Sequence, residues 1–137
     1  MTSYTLSTRS LKRLEGIHPD LVRVVKLAIQ ISKVDFMVGE GMRTIARQRE
    51  LVAQGASKTM NSRHLTGHAV DLIALLDTDG DGDKEVSWHG PSYYLIAEAM
   101  KLAAKQLKVP LEWGGDWKTF FDGPHFQLPF ASYPKPK

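Results

Sequence analysis

The sequence predicts an α+β fold, a small antiparallel sheet with flanking helices in a single compact domain. Three observations carry this. Apolar residues recur at helical spacing in the first third of the chain, and short runs rich in apolar and β-branched residues follow. A strong amphipathic helix then falls between those runs, so the order is helices first, then strands mixed with helices. The 137 residues suffice for one domain with a real core, taken as 1–137, and the hydrophobic fraction of 42% is ordinary.

Ser10 to Glu15 reads as a short helix with Leu11 and Leu14 on one face and Gly16 as its stop. Pro19 suits a first helical position, and Leu21, Val24, Val25, Ala28 and Ile29 give a helical apolar face through about Ser32. Val34 to Val38 is a strand. Thr44 caps a helix carrying Ile45, Gln48, Leu51 and Val52, which Gly55 ends. His68 to Leu75 reads as a buried strand, and Leu76 to Gly90 as a long polar loop. Pro91 opens the strongest helix, with Tyr94, Ile96, Ala97, Met100, Ala103 and Leu107 on its core side. Leu111 to Trp113 and His125 to Leu128 are two more short strands. Pro129, Pro134 and Pro136 mark a tail expected to fray from about residue 130.

Composition narrows the chemistry. There is no cysteine, which excludes disulfides and thiolate metal sites, so any metal is held by imidazole and carboxylate. The first residues, Met1 to Leu6, lack the apolar stretch of a signal peptide, and no apolar run is long enough to span a bilayer. Net charge is +3 with a pI near 9.2, which favours anionic partners such as nucleic acid, anionic lipid or cell wall. Lys and Arg are scattered without a basic run, which argues against nucleic acid.

Three residues can close a metal site: His64 and Asp71 in Ser62-Arg63-His64-Leu65-Thr66-Gly67-His68-Ala69-Val70-Asp71, and His125 in Asp122-Gly123-Pro124-His125. Two imidazoles and a carboxylate suit Zn²⁺ and leave a fourth position open, which makes a small hydrolase the leading reading. Asp122, three residues before His125, is the candidate base. Fully extended, the seven residues from His64 to Asp71 would span roughly 23 Å, so the chain must curl, and Thr66-Gly67 supplies the turn. The competing reading is a capping Asp and two surface histidines.

Ser62-x-His64-x-x-Gly67-x-Ala69-x-Asp71, followed by Asp122-x-x-His125, resembles the D-Ala-D-Ala carboxypeptidase-like zinc peptidases. The nearest group is the bacteriophage endolysins that act as L-alanyl-D-glutamate endopeptidases. The resemblance covers nearly the whole chain, including Ser10 to Val22, Gly41-Met42-Arg43-Thr44 and Trp113-Gly114-Gly115-Asp116-Trp117. It implies zinc on His64, Asp71 and His125, with Asp122 as general base where the family often has Glu. It implies an arginine over the site, here Arg43, to bind a substrate carboxylate or stabilise the oxyanion. The implied substrate is bacterial peptidoglycan, cut in the stem peptide. The implied setting is a monomer made in the host cytoplasm and released to the periplasm by a holin. A D-Ala-D-Ala carboxypeptidase or dipeptidase, and a non-catalytic zinc-containing wall-binding module, are the rival readings.

Gln48, one helical turn beyond Arg43, faces either the cleft or solvent; Ser62 orients substrate or only shapes its loop. Trp113 is a core or rim aromatic that can line the cleft. Alternation sets His68 on the face opposite Asp71, so it is not expected to be a ligand. Asp116 is a turn residue or an acceptor for a ligand histidine. Asp77-Thr78-Asp79-Gly80-Asp81-Gly82-Asp83 matches the opening of a calcium loop, so Asp77, Asp79, Asp81 and Asp83 are candidate Ca²⁺ ligands. Trp88 stands where the twelfth-position Glu of a full EF-hand would fall, and a solvated Asp/Gly loop is the bland alternative.

Overall fold

The computed structural model describes residues 4–55, 63–77, 79–117 and 121–134. In chain order these form α1 (Thr8–Arg13), α2 (Pro19–Ile31), β1 (Asp35–Glu40), α3 (Ile45–Ala53), β2 (Ala69–Leu76), β3 (Glu85–Ser87), α4 (Gly90–Leu107), β4 (Glu112–Trp113) and β5 (His125–Gln127). Two 3-10 turns, Arg63–Thr66 and Gly114–Asp116, precede β2 and follow β4. The sheet is antiparallel, in the order β1-β2-β5-β4. Strand β3 pairs with the far end of β2. No helix among the described residues is long and apolar enough to cross a membrane.

Period-two alternation divides the sheet into two faces. Phe36, Val38, Val70, Leu72, Ala74, Phe126 and Leu128 are buried in one core with α2 and α4. The opposite face carries Asp71, Ile73, His125 and Gln127. Helix α2 buries Leu21, Val24, Val25, Ala28 and Ile29, as their spacing requires. His18 caps it, its Nδ1 accepting from the Asp20 amide at 3.1 Å.

Several elements depart from the sequence reading. Helix α1 starts earlier, capped by Ser7. Ser10 lies inside it, fully buried, and its hydroxyl accepts from the Val38 amide at 3.0 Å. The buried stripe therefore runs through Ser10 and Leu14, four residues apart, and Leu11 is turned to solvent. Ile45 likewise points outward from α3. In α4 the core-facing tyrosine is Tyr93, not Tyr94, because Tyr93 shares a stripe with Ile96, Ala97 and Met100. The long polar loop also contains β3, too short to announce itself by periodicity.

The tail is anchored through Tyr133. Arg63 is buried and donates from Nε and Nη2 to the Leu128 carbonyl, at 3.1 and 3.0 Å, and from Nη2 to the Tyr133 carbonyl at 2.5 Å. Its guanidinium lies 4.1 Å from the centre of the Phe130 ring. The Tyr133 hydroxyl donates to Asp20 at 2.6 Å. These bonds oppose fraying between 130 and 134; residues 135–137 lie outside the described ones.

Gly67 has φ 76°, and a side chain there would also press on the Gly16 carbonyl oxygen. Gly55 has φ 77° with open space around it. Gly55→Ala should therefore cost about 1 kcal/mol, from backbone strain alone, and Gly67→Ala at least about 2 kcal/mol. Chemical denaturation of both variants measures the difference. Equal losses would mean that the Gly16 contact contributes nothing.

Candidate metal and catalytic site

The turn at Gly67 folds His64 back onto β2. The Nε2 of His64 lies 3.3 Å from the Asp71 Oδ1 and 3.2 Å from the His125 Nδ1, which is itself 3.3 Å from the same carboxylate oxygen. Strand pairing sets the contact between Asp71 and His125, which are register partners. The three inner atoms thus form a nearly equilateral triangle. Two ligands on a tetrahedral zinc with bonds of about 2.05 Å stand about 3.3 Å apart, so the spacing fits.

The outer ring nitrogens fix the tautomers. His64 Nδ1 donates to the Gly41 carbonyl at 2.9 Å, and His125 Nε2 donates to Gln127 Oε1 at 2.8 Å. Gln127 in turn donates to Glu112 at 3.2 Å. With both outer nitrogens protonated, both inner nitrogens present lone pairs to the Asp71 oxygen. Three acceptors at this distance call for a cation among them, and the outer acceptors orient the rings for it. His64, Asp71 and His125 thus form a group able to hold a metal.

The charges agree. When protons rather than a cation occupy the inner nitrogens, burial still pushes Asp71 up, but the hydrogen bonds then donated by His125 and His64, and their charge, hold it well below the usual carboxylate range. Burial would lower His125, but its hydrogen bond and charge interaction with Asp71 win and raise it. Asp122 is raised, first by burial and then by the Asp71 charge, against the opposing pull of His125, His64 and Arg43. Its amide donates to the Gly114 carbonyl at 3.0 Å, and its own carbonyl accepts from the His125 amide at 3.2 Å. A side chain at Gly114 would collide with the Asp122 carbonyl, so the first glycine of Trp113-Gly114-Gly115 is the floor on which Asp122 rests.

A model of the family described as phage L-alanyl-D-glutamate peptidase matches residues 2–128. The chain belongs to this family. The L-alanyl-D-glutamate peptidase of Escherichia phage T5 is 26% identical, over 92% of this chain and 98% of its own length. That of Listeria phage A118 is 32% identical over 97% of this chain, which spans 45% of that longer protein. The peptidoglycan L-alanyl-D-glutamate endopeptidase CwlK of Bacillus subtilis is 33% identical over 76% of this chain and 66% of its own. The crystal structure of the Serratia marcescens L-Ala D-Glu endopeptidase ChiX superposes with a TM-score of 0.85. It shares 52% identity and covers 93% of this chain and 92% of that one.

In this member of the phage L-alanyl-D-glutamate peptidase family, three expected site residues are engaged by partners within the protein. The Arg43 fork is not free for substrate. It is bidentate to Glu40, both bonds 2.8 Å, and donates from Nη1 to Gln48 at 2.6 Å. Its Nη2 stands 3.8 Å from Asp71 Oδ2. A bulge at Gly39 causes this by setting Glu40 opposite Asp71. Gln48 is fully buried and serves Arg43. Trp113 is buried rather than lining the cleft. It packs on Phe126 and donates to the Gly123 carbonyl at 2.6 Å, steadying the turn that carries Asp122. Among the described residues, Trp117 brings an aromatic to the site, its ring 5.0 Å from that of His125. Asp116 pairs with Lys101 at 2.7 Å, away from the histidines. His68 bonds Thr66 and lies against His18 and Tyr133. Ser62 lies outside the described residues.

Sequence reasoning missed Glu40, Gln127 and Glu112. Gln127 was findable, two residues after His125 on the same strand face; Glu40 was not, because the bulge decides where it points. The acidic loop also differs in detail. Asp77, Asp79, Asp81 and Glu85 come together, and Asp83 is not part of the group. Asp77 accepts from the Gly80 and Gly82 amides, both at 2.9 Å, and the Gly82 bond foremost holds its pKa down.

Gln127→Ala removes the acceptor that orients His125. It should weaken metal affinity by about 10- to 100-fold without unfolding the protein. Competition against a chromophoric chelator reads this directly. Unchanged affinity would show that the His125 ring is held by its packing alone.

Proposed function

We propose that this chain is a zinc-dependent peptidase that cuts the L-Ala–D-Glu bond of the peptidoglycan stem peptide as a phage endolysin in host lysis. The observation that carries the reading is the 3.2–3.3 Å triangle of His64, Asp71 and His125, with Asp122 raised in pKa beside it. The names of the relatives supply the bond, and that of the Bacillus subtilis relative supplies peptidoglycan as the polymer cut.

Zinc, when bound, supplies Lewis-acid polarisation of the scissile carbonyl and an acidified water. The protein's residues do the rest. Asp122 takes a proton from the attacking water as the oxygen bonds to the carbonyl carbon, and delivers it to the amide nitrogen as the C–N bond breaks. A carboxylate raised toward neutrality is the better base for this, and burial provides that rise. Arg43 acts as a positioning residue. Held by Glu40 and Gln48, it sets a fixed positive charge behind Asp71. For the acidic loop we propose Ca²⁺ on Asp77, Asp79, Asp81 and Glu85, a hard oxygen set with glycine at its sixth position.

Chelation should abolish wall lysis, and Zn²⁺ should restore it; full activity in metal-stripped protein would overturn the proposal. Asp122→Asn should keep bound zinc and lose turnover by a factor on the order of 10² to 10⁴. Mass spectrometry of the fragments released from purified peptidoglycan identifies the bond, and termini other than L-Ala and D-Glu would refute that part. Arg43→Lys keeps the charge but strands Glu40 and Gln48. It should lower both kcat/KM and Tm, whereas an intact Tm would show that the fork is dispensable for folding. Calcium titration followed by NMR tests the loop, where unmoved Asp77 to Glu85 signals at millimolar calcium would refute it.

A further inference from the structure

A cleft of about 380 Å³ opens between the end of α1 and the end of β1, with Lys12, Arg13, Glu15, Glu40, Gly41 and Met42 in its walls. Its volume is that of a small-ligand site.

The cleft adjoins the metal site, on the same face of the sheet. Gly39 also lines it, and a side chain there would run into Ile73, which shares the face of Asp71. Glu40 is the register partner of Asp71, so their Cα atoms stand about 5 Å apart. The Glu40 carboxylate holds Arg43, which in turn reaches Asp71. The Gly41 carbonyl accepts from His64 Nδ1. On the outer edge of β1, Arg13 Nη1 donates to the Val38 carbonyl at 2.9 Å and fixes α1 against the strand. The cleft therefore leads from the metal-site residues across β1 to α1.

Its walls carry both signs of charge. Arg13 and Glu40 are committed to Val38 and Arg43. Lys12, in the last turn of α1, and Glu15, just beyond it, are exposed and have no ion-pair partner among the described residues. Opposite charges three residues apart can pair with each other, yet these two do not. Met42 beside them is 56% exposed, a flexible apolar surface.

The stem peptide has one group that matches. On the acyl side of the L-Ala–D-Glu bond the amine of L-Ala is acylated and neutral. The leaving side continues through the side-chain carboxyl of D-Glu to a diamino acid. In one class of walls that side chain ends in an ammonium and a carboxylate on the same carbon. Along an extended chain this carbon lies up to about 12 Å from the scissile bond. Two strand spacings, the span from β2 across β1, are about 10 Å. We propose that the cleft takes this zwitterionic end, its carboxylate on Lys12 and its ammonium on Glu15, with Met42 against the methylenes. It is a specificity subsite on the leaving side of the scissile bond, and it rests on the peptidase reading above.

The test uses the zinc-loaded full chain and three soluble N-acetylated stem tripeptides that differ only in the third residue. The first carries meso-diaminopimelate, the second L-lysine, which lacks the terminal carboxylate, and the third L-norleucine, which lacks both charges. Wild-type kcat/KM should favour diaminopimelate over lysine by about 5-fold, the upper scale of one exposed ion pair. Lys12→Gln should bring that ratio toward one through a higher KM for the diaminopimelate substrate, and Lys12→Arg should keep most of it. Glu15→Gln should lower kcat/KM for the two ammonium-bearing substrates and leave the norleucine substrate unchanged. A wild-type ratio near one, or variants that lower all three substrates by the same factor, would overturn the subsite while leaving the peptidase reading intact. Cleavage of none of the three by the wild type would overturn both.

Discussion

The site depends on closing seven residues of chain to an interatomic distance of 3.3 Å between His64 and Asp71. The 3-10 turn Arg63–Thr66 and the left-handed Gly67 do this, and neither is stable alone. Each end of the turn is pinned from outside. The Gly67 carbonyl accepts from the His18 amide at the start of α2, and the His68 carbonyl accepts from the Leu128 amide after β5. The Arg43 amide donates to the His64 carbonyl at 2.9 Å. Buried Arg63 then ties the same turn to Leu128 and Tyr133. Segments from both ends of the sequence converge on this turn. A shift of a few tenths of an ångström in the His64 ring would therefore have to strain the core.

Holding a low-pKa carboxylate at the edge of an apolar core is costly unless its charge is answered. Two histidines answer Asp71 from one side, and Arg43 answers it from the other. Arg43 is buried in turn and needs its own partners, which Glu40 and Gln48 supply. Charge and hydrogen bonding are thus satisfied outward from the centre. This ordering explains why the Arg43 guanidinium is held by partners within the protein.

The residue types needed for the chemistry were legible from the sequence because chemistry restricts them strongly. Imidazole and carboxylate at the spacing of His64, Asp71 and His125 have few uses, and Gly67 was readable as the turn that spacing demands. The long helices were legible for a similar reason, since Leu21 to Ile29 and Ile96 to Ala103 repeat the helical period several times. Short elements gave no such repetition. Three residues cannot display a period, so β3 read as loop. In a six-residue helix the choice between Leu11 and Ser10 as the inward residue turned on a hydrogen bond to Val38, 28 residues away. The partners of Arg43 were not legible because Glu40 is aimed by a β-bulge. For Trp113 the core and the cleft wall both stayed open, because an aromatic beside glycines fits either position, and the structure takes the core.

The position of Asp122 follows from a break in the sheet. Along one edge of β2, Ala69 to Asp71 pair with β5 and Ala74 to Leu76 pair with β3. Between these two partners the edge would expose unpaired amides. Leu72 donates instead to the Pro124 carbonyl at 2.8 Å, and Ala74 to the Tyr93 hydroxyl at 3.3 Å. Pro124 has no amide to offer a ladder, so β5 cannot extend upstream past His125. The chain before it must leave the sheet plane, and Gly123 lets it do so against Tyr93. That departure lifts Asp122 beside Asp71 and His125 while its backbone remains bonded to Gly114. The same break leaves a gap between β5 and β3 that Tyr93 fills from below. The proline that ends a strand and the tyrosine that patches its neighbour therefore determine where the candidate base sits.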